Sequence, residues 1–349
     1  MSILCRQHSI MNSKRFAIKF LLLVIFVLVL DYVGLFKILC ELEYELLFNY
    51  PSGGFEKTIG NDTIQFRNEN PTNFYNYSFT HNPKQTCNIS PFITFLIKSA
   101  PGNIKQRKAI RRTWGFEERF SDVIVRRIFL IGLTTNSLQA EINVEAKNYN
   151  DIVQADFIDA YFNNTIKTMM GMRWAKEHCH SQYYMFVDDD YYVSLKNVLQ
   201  FCRNNANINK GYASINTIDQ NELVEYLYAG YVIQSKPQRQ KFSKWYISLE
   251  EYPFNKWPPY VTAGAFILSQ NTLKKLYDTS LYTKHFRFDD IYLAIVALKS
   301  GIKLTHCQEF YFHKPTSAEK YRNLIASHEF SDPSELEEVW NKMRSAGYA

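Results

Sequence analysis

The sequence predicts an α/β domain, with a mostly parallel sheet flanked by helices, behind an N-terminal apolar segment and a polar linker. Strand-like and helix-like segments alternate about four times between residues 91 and 190, a pattern typical of a sheet covered on both faces. Residues 37–90 lack this periodicity and are rich in Asn, Gly, Pro and Thr. We therefore predict an apolar segment over 20–36, a linker or stem over 37–90 and the α/β domain over 91–349.

The composition excludes several classes of protein. The 349 residues are 46% hydrophobic, 16% aromatic and 21% charged, which excludes a disordered, collagen-like or coiled-coil chain. The net charge is +6, and no dense block of Lys and Arg predicts a nucleic-acid surface. We therefore expect no nucleic-acid partner.

The apolar run near the N-terminus predicts a membrane signal anchor. Residues 20–36 form a stretch of 17 residues with one acid, at the short end of the roughly 17 to 25 residues that cross a bilayer. Basic residues precede the run and acidic residues follow it, so the positive-inside rule predicts a cytoplasmic tail over 1–19 and a lumenal remainder. A cleaved signal peptide is the alternative, although no small-x-small pair follows the run.

Sequons and cysteines favour the same compartment. Asn61, Asn76, Asn88 and Asn163 each begin an Asn-x-Ser/Thr sequon, so we predict N-glycosylation at these four positions. Of the six cysteines, Cys5 would be cytoplasmic, which leaves an odd five for an oxidising lumen. Structural disulfides are expected, because no spacing of Cys and His predicts zinc. Since the number is odd, at least one cysteine must be free or intermolecular.

The elements of the α/β domain follow in order from residue 92. Strands are predicted over 92–99, 124–132, 152–157 and 183–187, and helices over 105–113, 138–149 and 164–178. Further helices are predicted over 270–277, 291–300 and 333–345, the last with Ser331 or Asp332 as its N-cap. Because ligands bind at the carboxyl ends of parallel strands, we expect the chemistry to lie there.

Three consecutive aspartates, Asp188, Asp189 and Asp190, end the strand predicted over 183–187. Adjacent carboxylates repel one another, so this placement predicts a divalent cation that offsets their charge. Oxygen ligands favour Mg²⁺ or Mn²⁺ over zinc, and such a metal would bridge to phosphate oxygens of a substrate. The alternatives are a solvated acidic turn and a phosphatase nucleophile loop, the second disfavoured because Tyr192 stands where Thr or Val is expected.

A second acidic pair, Asp289 and Asp290, precedes the helix predicted over 291–300. An aspartate at this position caps a helix in many proteins, and a carboxylate at the mouth of the same cleft could instead act as a general base. The spacing alone does not distinguish the two roles. A lone histidine such as His328 is more often a surface or packing residue than a ligand.

Blocks of sequence between about residue 92 and residue 345 resemble a known family. The blocks are RKAIRRTWG, FLIG, DFIDAYFNNTIKT, FVDDDYYV, PPYVTAGAFILS, FDDIYLA and ASHEFSDPSELEEVW, with Trp174 and Cys179 between them. Together they are similar to the β1,3-glycosyltransferases, the group of β1,3-galactosyl- and β1,3-N-acetylglucosaminyltransferases. The resemblance implies a GT-A fold, a single-pass type II Golgi membrane protein, a UDP-sugar donor, Mn²⁺ and inversion at the anomeric carbon.

The resemblance also implies roles for the acidic residues and for His328. Asp190 matches the acid that ligates the metal, and Asp188 and Asp189 match residues beside the ribose and diphosphate of the donor. Asp290 matches the acid proposed as the base, and His328 matches a second metal ligand.

Basic and aromatic residues complete the implied site. Arg107, Arg111 and Lys167 fall where family members place residues near the donor, although a solvated helix face or packing is the alternative for them. Trp257 and Tyr260 could stack on the acceptor sugar, although each taken singly is more often a packing residue.

Some positions depart from the family pattern. Val261 and Val296 replace two family cysteines, which is compatible with the joint loss of one disulfide. Ala263, Ala265 and Ala294 replace family glycines, which could alter the shape of the donor and acceptor pocket. Because the aspartates and His328 are kept, we expect activity.

The predicted function is transfer of a hexose, galactose, GalNAc or GlcNAc, from a UDP-sugar to the 3-hydroxyl of an acceptor on a glycolipid or glycoprotein. The alternatives are a catalytically inactive relative that binds glycans or UDP-sugars, and a metal-dependent hydrolase of nucleotide-sugars.

Overall fold

The computed structural model describes residues 2–48, 70–73, 75–215 and 226–349. The chain divides into two compact units, Met1–Gly54 with Gln234–Trp257, and Phe55–Ile233 with Pro258–Ala349. Residues 234–257, predicted as part of the α/β domain, thus group with the N-terminal segment. Asn61 and most of the predicted linker lie outside the described residues.

The first unit contains three helices, α1 (Ser2–Tyr32), α2 (Leu35–Leu39) and α3 (Tyr44–Leu47). Gly34 separates α1 from α2 with a left-handed φ of 85°, and a Cβ atom there would lie 2.5 Å from the carbonyl oxygen of Arg239. The buried guanidinium of Arg239 pairs with Glu41 at 2.6 Å and donates to four backbone carbonyls within residues 247–254. This buried ion pair joins the two chain segments of the unit.

The membrane anchor predicted over 20–36 is not one helix, because α1 ends at Tyr32 and Gly34 leaves the helical conformation. The apolar side chains of residues 20–29 are each more than a third exposed. Within the part of the chain that the structure describes, no helix meets the length and hydropathy that a bilayer crossing needs.

The second unit contains an eight-stranded sheet and a three-stranded sheet. The strands are β1 (Phe79–His81), β2 (Ile93–Lys98), β3 (Val125–Leu133), β4 (Ile152–Ile158), β5 (Tyr183–Asp188), β6 (Tyr192–Val193), β7 (Tyr228–Ile233), β8 (Tyr260–Ser269), β9 (Thr305–His306), β10 (Phe310–Tyr311) and β11 (Ala326–Ser327). The helices are α4 (Ile104–Arg112), α5 (Asn136–Tyr149), α6 (Asn164–His178), α7 (Leu195–Ile215), α8 (Gln270–Ser280), α9 (Asp289–Ser300) and α10 (Pro333–Ser345). Short 3₁₀ turns lie at Lys84–Cys87, Glu117–Arg119, Tyr161–Asn163 and Ala318–Tyr321.

The larger sheet has the order β1-β4-β3-β2-β5-β8-β7-β9. Its central strands β4, β3, β2 and β5 are parallel, which confirms the predicted strands and the helical crossovers between them. β1 pairs antiparallel to β4, and β8 pairs antiparallel to β5 and to β7, so the sheet is mixed rather than mostly parallel. The smaller sheet has the order β10-β11-β6. Its strand β6 begins two residues after Asp190, and its strand β11 ends directly before His328.

The central strands are buried on both faces because helices cover them. Every residue of β2 is buried, and Ile93, Phe95 and Ile97 share one apolar cluster with residues of α10. The helix α10 begins as predicted, since Asp332 is its N-cap and accepts a hydrogen bond from the backbone N–H of Ser334 at 2.9 Å.

One disulfide, Cys87–Cys179, joins the segment before β2 to the end of α6 and confirms that structural disulfides are present. The sequon asparagines Asn76 and Asn88 are exposed. Asn163 is half-buried, and its side-chain amide donates to the carbonyl of Ile158 at 2.8 Å. The nitrogen to which a glycan would be attached therefore already makes a hydrogen bond within the turn.

Candidate functional site

The carboxyl ends of the four parallel strands meet at one edge of the larger sheet. Lys98 ends β2 and Asp188 ends β5, and the two residues are partners in the parallel register. Asp189 and Asp190 follow directly. The predicted aspartates therefore lie at the edge where ligands bind in open α/β sheets.

Lys98 connects the aspartate triplet with the second acidic pair. Its buried ammonium lies 3.0 Å from Oδ1 of Asp188 and 3.0 Å from Oδ2 of Asp289. It also donates to the backbone carbonyl of Ala263 at 2.9 Å. Burial alone would lower the pKa of Lys98, but the two carboxylates raise it above its ordinary value, so the lysine is charged. Burial raises the pKa of Asp188 to about 6, and Lys98 opposes that rise.

Asp189 is buried and fixes the loop after β5 against the start of α4. Its Oδ2 accepts hydrogen bonds from the hydroxyl of Ser99 at 2.6 Å and from the side-chain amide of Asn103 at 3.0 Å. Burial raises the pKa of Asp189, and these two hydrogen bonds act in the opposite direction. Asp189 therefore holds the edge of the site in shape, and it also lines the cleft described below.

Asp190 and His328 meet in the structure although 138 positions separate them in the chain. Nε2 of His328 lies 3.0 Å from Oδ2 of Asp190. Backbone hydrogen bonds fix both residues, from Phe330 N–H to the carbonyl of Asp190 at 2.8 Å and from His328 N–H to the carbonyl of Tyr311 at 3.1 Å. The hydrogen bond to Asp190 raises the pKa of His328, and burial opposes it. The structure thus brings together the two predicted metal ligands.

The other carboxylate oxygen of Asp190, Oδ1, is buried and has no hydrogen-bond partner. An unpaired buried carboxylate oxygen costs free energy, so the position is suited to a cation. Asp190 and His328 offer oxygen and nitrogen ligands, which Mn²⁺ accepts when phosphate oxygens and water supply the rest. Across the described residues, no group of three or more His, Cys, Asp or Glu side chains is arranged to hold a metal. These residues therefore fit a metal shared with a substrate.

Asp290 lies in the first turn of α9, directly after Asp289. Its Oδ1 accepts a hydrogen bond from the backbone N–H of Ile291 at 2.8 Å, and its charge favours the N-terminus of the helix, but Phe288 is the N-cap, so neither aspartate caps the helix as the alternative predicted. Burial and the charge of Asp289 raise the pKa of Asp290 to about 7, and Lys98 opposes the rise. A carboxylate with a pKa near neutrality is suited to accept a proton from a substrate, which is the role of a general base.

A cleft of about 570 Å³ lies beside the triplet, between the start of α4 and the start of α10. Residues that line the cleft include Asn103, Lys105, Lys108, Asp189, Asp190, Ser331 and Pro333. A helix N-terminus carries unpaired N–H groups and partial positive charge, and the two lysines add to it. Because Glu141, Asp189 and Asp190 line the same cleft, it suits a phosphorylated ligand that is accompanied by a cation. These lysines were not predicted from the sequence, although Gly102 and Asn103 directly before the predicted helix could have indicated them.

Arg107 and Arg111, predicted near the donor, lie in a buried ion-pair network. All five N–H groups of Arg107 have partners, because Glu145 accepts two of them and polar atoms of residues 99–101 accept three. Arg111 pairs with Glu145 at 2.7 Å and with Asp151 at 2.8 Å. Arg107 has no N–H left for a ligand and shares Glu145 with Arg111, so the contacts of both arginines are those of a folding role, and their predicted place near the donor stays a prediction.

Lys167 is also buried and joins two strand ends. Its ammonium donates to the carbonyl of Ser99 at 2.7 Å and pairs with Asp159 at 2.9 Å, and Asp159 in turn accepts from the backbone N–H of Gly132 at 2.6 Å. Lys167 therefore holds the loops that follow β2, β3 and β4 in place, which is the packing alternative. Its predicted contact with the donor stays a prediction.

The aromatic residues predicted to contact the acceptor are covered by protein. Trp257 is 5% exposed and Tyr260 is 8% exposed. Trp257 belongs to the first unit, where its ring packs 4.2 Å from that of Tyr252. Because a stacking platform needs an open ring face, the structure does not support either residue as an acceptor platform.

The departures from the family pattern lie in β8, at Val261, Ala263 and Ala265, and in α9, at Ala294 and Val296. A side chain at Gly264 would displace the ring of Tyr191, the residue after the triplet, because a Cβ atom there would overlap the tyrosine hydroxyl group. Val261, in place of a family cysteine, fills the space over Gly230. Val261 and Val296 are both fully buried, so each acts as a core residue.

Comparisons with known proteins agree on one family. A family model described as Galactosyltransferase matches residues 105–308, which include the triplet and Asp290. Beta-1,3-galactosyltransferase brn of Drosophila melanogaster is 48% identical over 349 residues, covering 97% of this chain and 99% of that protein. Beta-1,3-galactosyltransferase 2 of Homo sapiens is 34% identical over 304 residues, covering 83% of this chain and 68% of that protein. A solved structure of a galactosyltransferase with donor and acceptor sugar analogues, 10% identical with a TM-score of 0.37, covers 73% of this chain and 100% of that chain, a likeness too low to add to the assignment.

Proposed function

This chain belongs to the β1,3-galactosyltransferase family and is a glycosyltransferase, and on that premise we propose that it transfers galactose from UDP-galactose to the 3-hydroxyl of an acceptor sugar with inversion. The arrangement that carries the proposal is the position of Asp290. It lies next to Asp289, which Lys98 joins to Asp188 at the start of the aspartate triplet. The α/β sheet that holds them is assigned, within the same proposal, to the GT-A type.

Asp290 acts as the general base. The 3-hydroxyl oxygen of the acceptor forms a bond to the anomeric carbon of the donor while the bond from that carbon to the UDP oxygen breaks, and the hydroxyl proton passes to Asp290. Attack from the face opposite to UDP inverts the anomeric configuration. The raised pKa of Asp290 favours this role, because the carboxylate is basic enough to hold the proton that it receives.

The donor diphosphate would lie in the cleft beside the triplet. The N–H groups at the start of α4 and the side chains of Lys105 and Lys108 supply positive charge there. Positive charge at this position stabilises UDP as it leaves. Asp189 lines that cleft, and Asp188 precedes it at the end of β5.

Asp190 and His328 would hold a Mn²⁺ or Mg²⁺ ion, because the buried Oδ1 of Asp190 lacks a partner and Nε2 of His328 lies beside the same carboxylate. Such an ion, when bound, would neutralise charge on the UDP diphosphate. The protein's own part is to orient the two ligands, which the backbone hydrogen bonds of Asp190 and His328 do.

The acceptor would be a glycan on a glycolipid or glycoprotein, and the site of action the Golgi lumen. The Cys87–Cys179 disulfide and the exposed sequon asparagines Asn76 and Asn88 support a lumenal position. A single-pass type II topology anchored by residues 20–36 stays a prediction. Alkaline carbonate extraction of membranes from cells that express the full chain tests the anchoring, and protease protection of the C-terminal part in sealed vesicles tests the orientation.

UDP release by the purified full-length chain tests the proposed function. We would measure it with Mn²⁺ for UDP-galactose, UDP-GlcNAc and UDP-GalNAc, with and without a panel of glycan acceptors. Release with UDP-galactose that depends on an acceptor, and that EDTA and Asp290→Asn abolish, supports the proposal. If only UDP-GlcNAc or UDP-GalNAc gives acceptor-dependent release of UDP, the proposed donor is wrong. Binding of a UDP-sugar without release of UDP supports the inactive relative. Release of UDP that does not depend on an acceptor supports the hydrolase.

A further inference from the structure

An open aromatic cluster lies beside Asp290 and has no part in the site described so far. Tyr161 is 50% exposed and Phe162 is 45% exposed, and their ring centroids are 5.3 Å apart. The ring of Phe162 also lies 6.4 Å from that of Phe288, which is two residues before Asp290 in the chain. The cluster thus extends from solvent to the immediate neighbourhood of the proposed base.

The topology places this cluster at the active edge of the sheet. Tyr161 and Phe162 lie in the turn Tyr161–Asn163, which follows the carboxyl end of β4. The strands β4, β3, β2 and β5 are parallel neighbours in the sheet. The carboxyl end of β4 therefore lies at the same edge of the sheet as Lys98 and Asp188, which end β2 and β5.

Specific contacts hold the cluster in position. The hydroxyl of Thr165, just after the turn, donates to the carbonyl of Phe286 at 2.8 Å, which ties the start of α6 to the segment before Asp290. The guanidinium carbon of Arg287 lies 5.1 Å from the ring centroid of Phe162 and 4.9 Å from that of Phe288. These cation–π contacts restrict the two rings, so less conformational entropy is lost when a ligand stacks on them.

We propose that Tyr161, Phe162 and Phe288 form the platform on which the acceptor saccharide stacks, so that one of its hydroxyl groups faces Asp290. A pyranose ring has an apolar face of C–H groups for the aromatic rings and hydroxyl groups at its rim for the carboxylate, which is the combination that this surface offers. The proposal rests on the proposed function and names the protein surface that binds its acceptor. It also replaces Trp257 and Tyr260, whose rings are covered.

Steady-state kinetics and direct binding with the full-length chain test the platform. The acceptor probes are lactose, N-acetyllactosamine and the methyl β-glycosides of galactose, GlcNAc, glucose and mannose. For the best acceptor among them, we expect Phe162→Ala and Tyr161→Ala to raise the acceptor KM by about five- to tenfold, with the donor KM and kcat within about twofold. Phe162→Trp, which restores a ring, is expected to recover most of the acceptor affinity.

Phe116→Ala is the matched control. Phe116 has the same exposed fraction as Phe162, 45%, but it follows α4, which returns the chain from the end of β2 to the opposite edge of the sheet. We expect this variant to leave the acceptor KM unchanged. An unchanged acceptor KM in Phe162→Ala, or an equal rise in donor KM, would overturn the platform.

Saturation-transfer NMR of the same saccharides, with UDP present and no turnover, separates failure of the platform from failure of the proposed function. If the wild-type chain transfers sugar but Phe162→Ala binds and uses the acceptor normally, the platform is wrong and the transferase stands. If the wild-type chain transfers nothing but binds a saccharide that Phe162→Ala no longer binds, the platform stands and the transferase proposal is wrong. Loss of both signals in the wild-type chain overturns both.

Discussion

The ammonium of Lys98 lies 3.0 Å from a carboxylate oxygen of Asp289, the residue before the proposed base. The same ammonium lies 3.0 Å from Asp188, so one buried cation joins the strand that carries the triplet to the helix that carries Asp290. The hydroxyl of Thr168 donates to the same oxygen of Asp289 at 3.0 Å. Asp289 is therefore occupied, which leaves Asp290 as the carboxylate of this pair that can accept a substrate proton.

Lys98→Met is expected to lower kcat and to move the acid limb of the pH profile of kcat/KM to higher pH. Lys98 lowers the pKa of Asp290, so removal of its charge raises that pKa. Activity should partly recover as the pH is raised. Lys98→Arg, which keeps the charge, should shift the limb less.

Lys167→Met is the matched control for loss of a buried lysine at the same edge. Lys167 pairs with Asp159 and makes no contact with Asp289, so its acid limb should stay at the wild-type pH whatever the effect on folding. The role assigned to Lys98 is contradicted if Lys98→Met keeps the wild-type acid limb while kcat falls.

The pH profile of the wild-type chain should itself report Asp290. A base must be ionised to accept a proton, and burial with the charge of Asp289 raises the pKa of Asp290 to about 7. Activity is therefore expected to rise as the pH passes upward through about 7, rather than near the ordinary aspartate value of about 4. Asp290→Asn should abolish turnover and leave UDP binding intact, as measured by calorimetry. An acid limb near pH 4 would show that another group, or an unshifted carboxylate, limits the rate.

Asp190→Asn and His328→Ala are expected to weaken Mn²⁺ binding in the presence of UDP by about tenfold or more, because each changes one of the two proposed protein ligands. Electron paramagnetic resonance of Mn²⁺ measures this without turnover. His180→Ala, which removes an exposed histidine, should bind Mn²⁺ as the wild-type chain does. Wild-type Mn²⁺ affinity in both ligand variants would exclude this pair as the metal site.

The sequence predicted the central strands and the acidic residues well because both depend on local pattern. Four apolar runs alternating with helical periodicity are enough to predict a parallel core, and three aspartates after one run locate its active edge. The antiparallel strands β7 and β8 were not predicted, since their pairing depends on contacts far apart in the chain.

Burial and distant partners account for what the sequence analysis missed. Lys98 is a lone lysine at the end of an apolar strand, and its role depends on Asp289, which is 191 positions away. Tyr161 and Phe162 resemble any other aromatic pair until the turn that exposes them is known. Trp257 is of the residue type that stacks on sugars, but only the structure shows that its ring is covered.

Arg107 tests whether a residue that the family resemblance placed near the donor acts in binding or in folding. Its position in the family pattern predicts a place near the donor, whereas its contacts are those of a residue that stabilises the fold. Arg107→Met leaves Glu145 with Arg111 as its remaining partner and leaves the carbonyls of Ala100 and Pro101 without their buried donor, so it should lower the free energy of unfolding by about 3 kcal/mol. Urea unfolding at low temperature measures this, and the donor KM of the folded fraction should stay within about twofold of wild type. Arg112→Met, on the same helix with a 69% exposed side chain 3.4 Å from Glu337, should change stability by no more than about 0.5 kcal/mol. A buried network that holds the strand ends must weaken the fold when its central guanidinium is removed. A raised donor KM in Arg107→Met without loss of stability would therefore contradict the folding role of Arg107 and support its predicted contact with the donor.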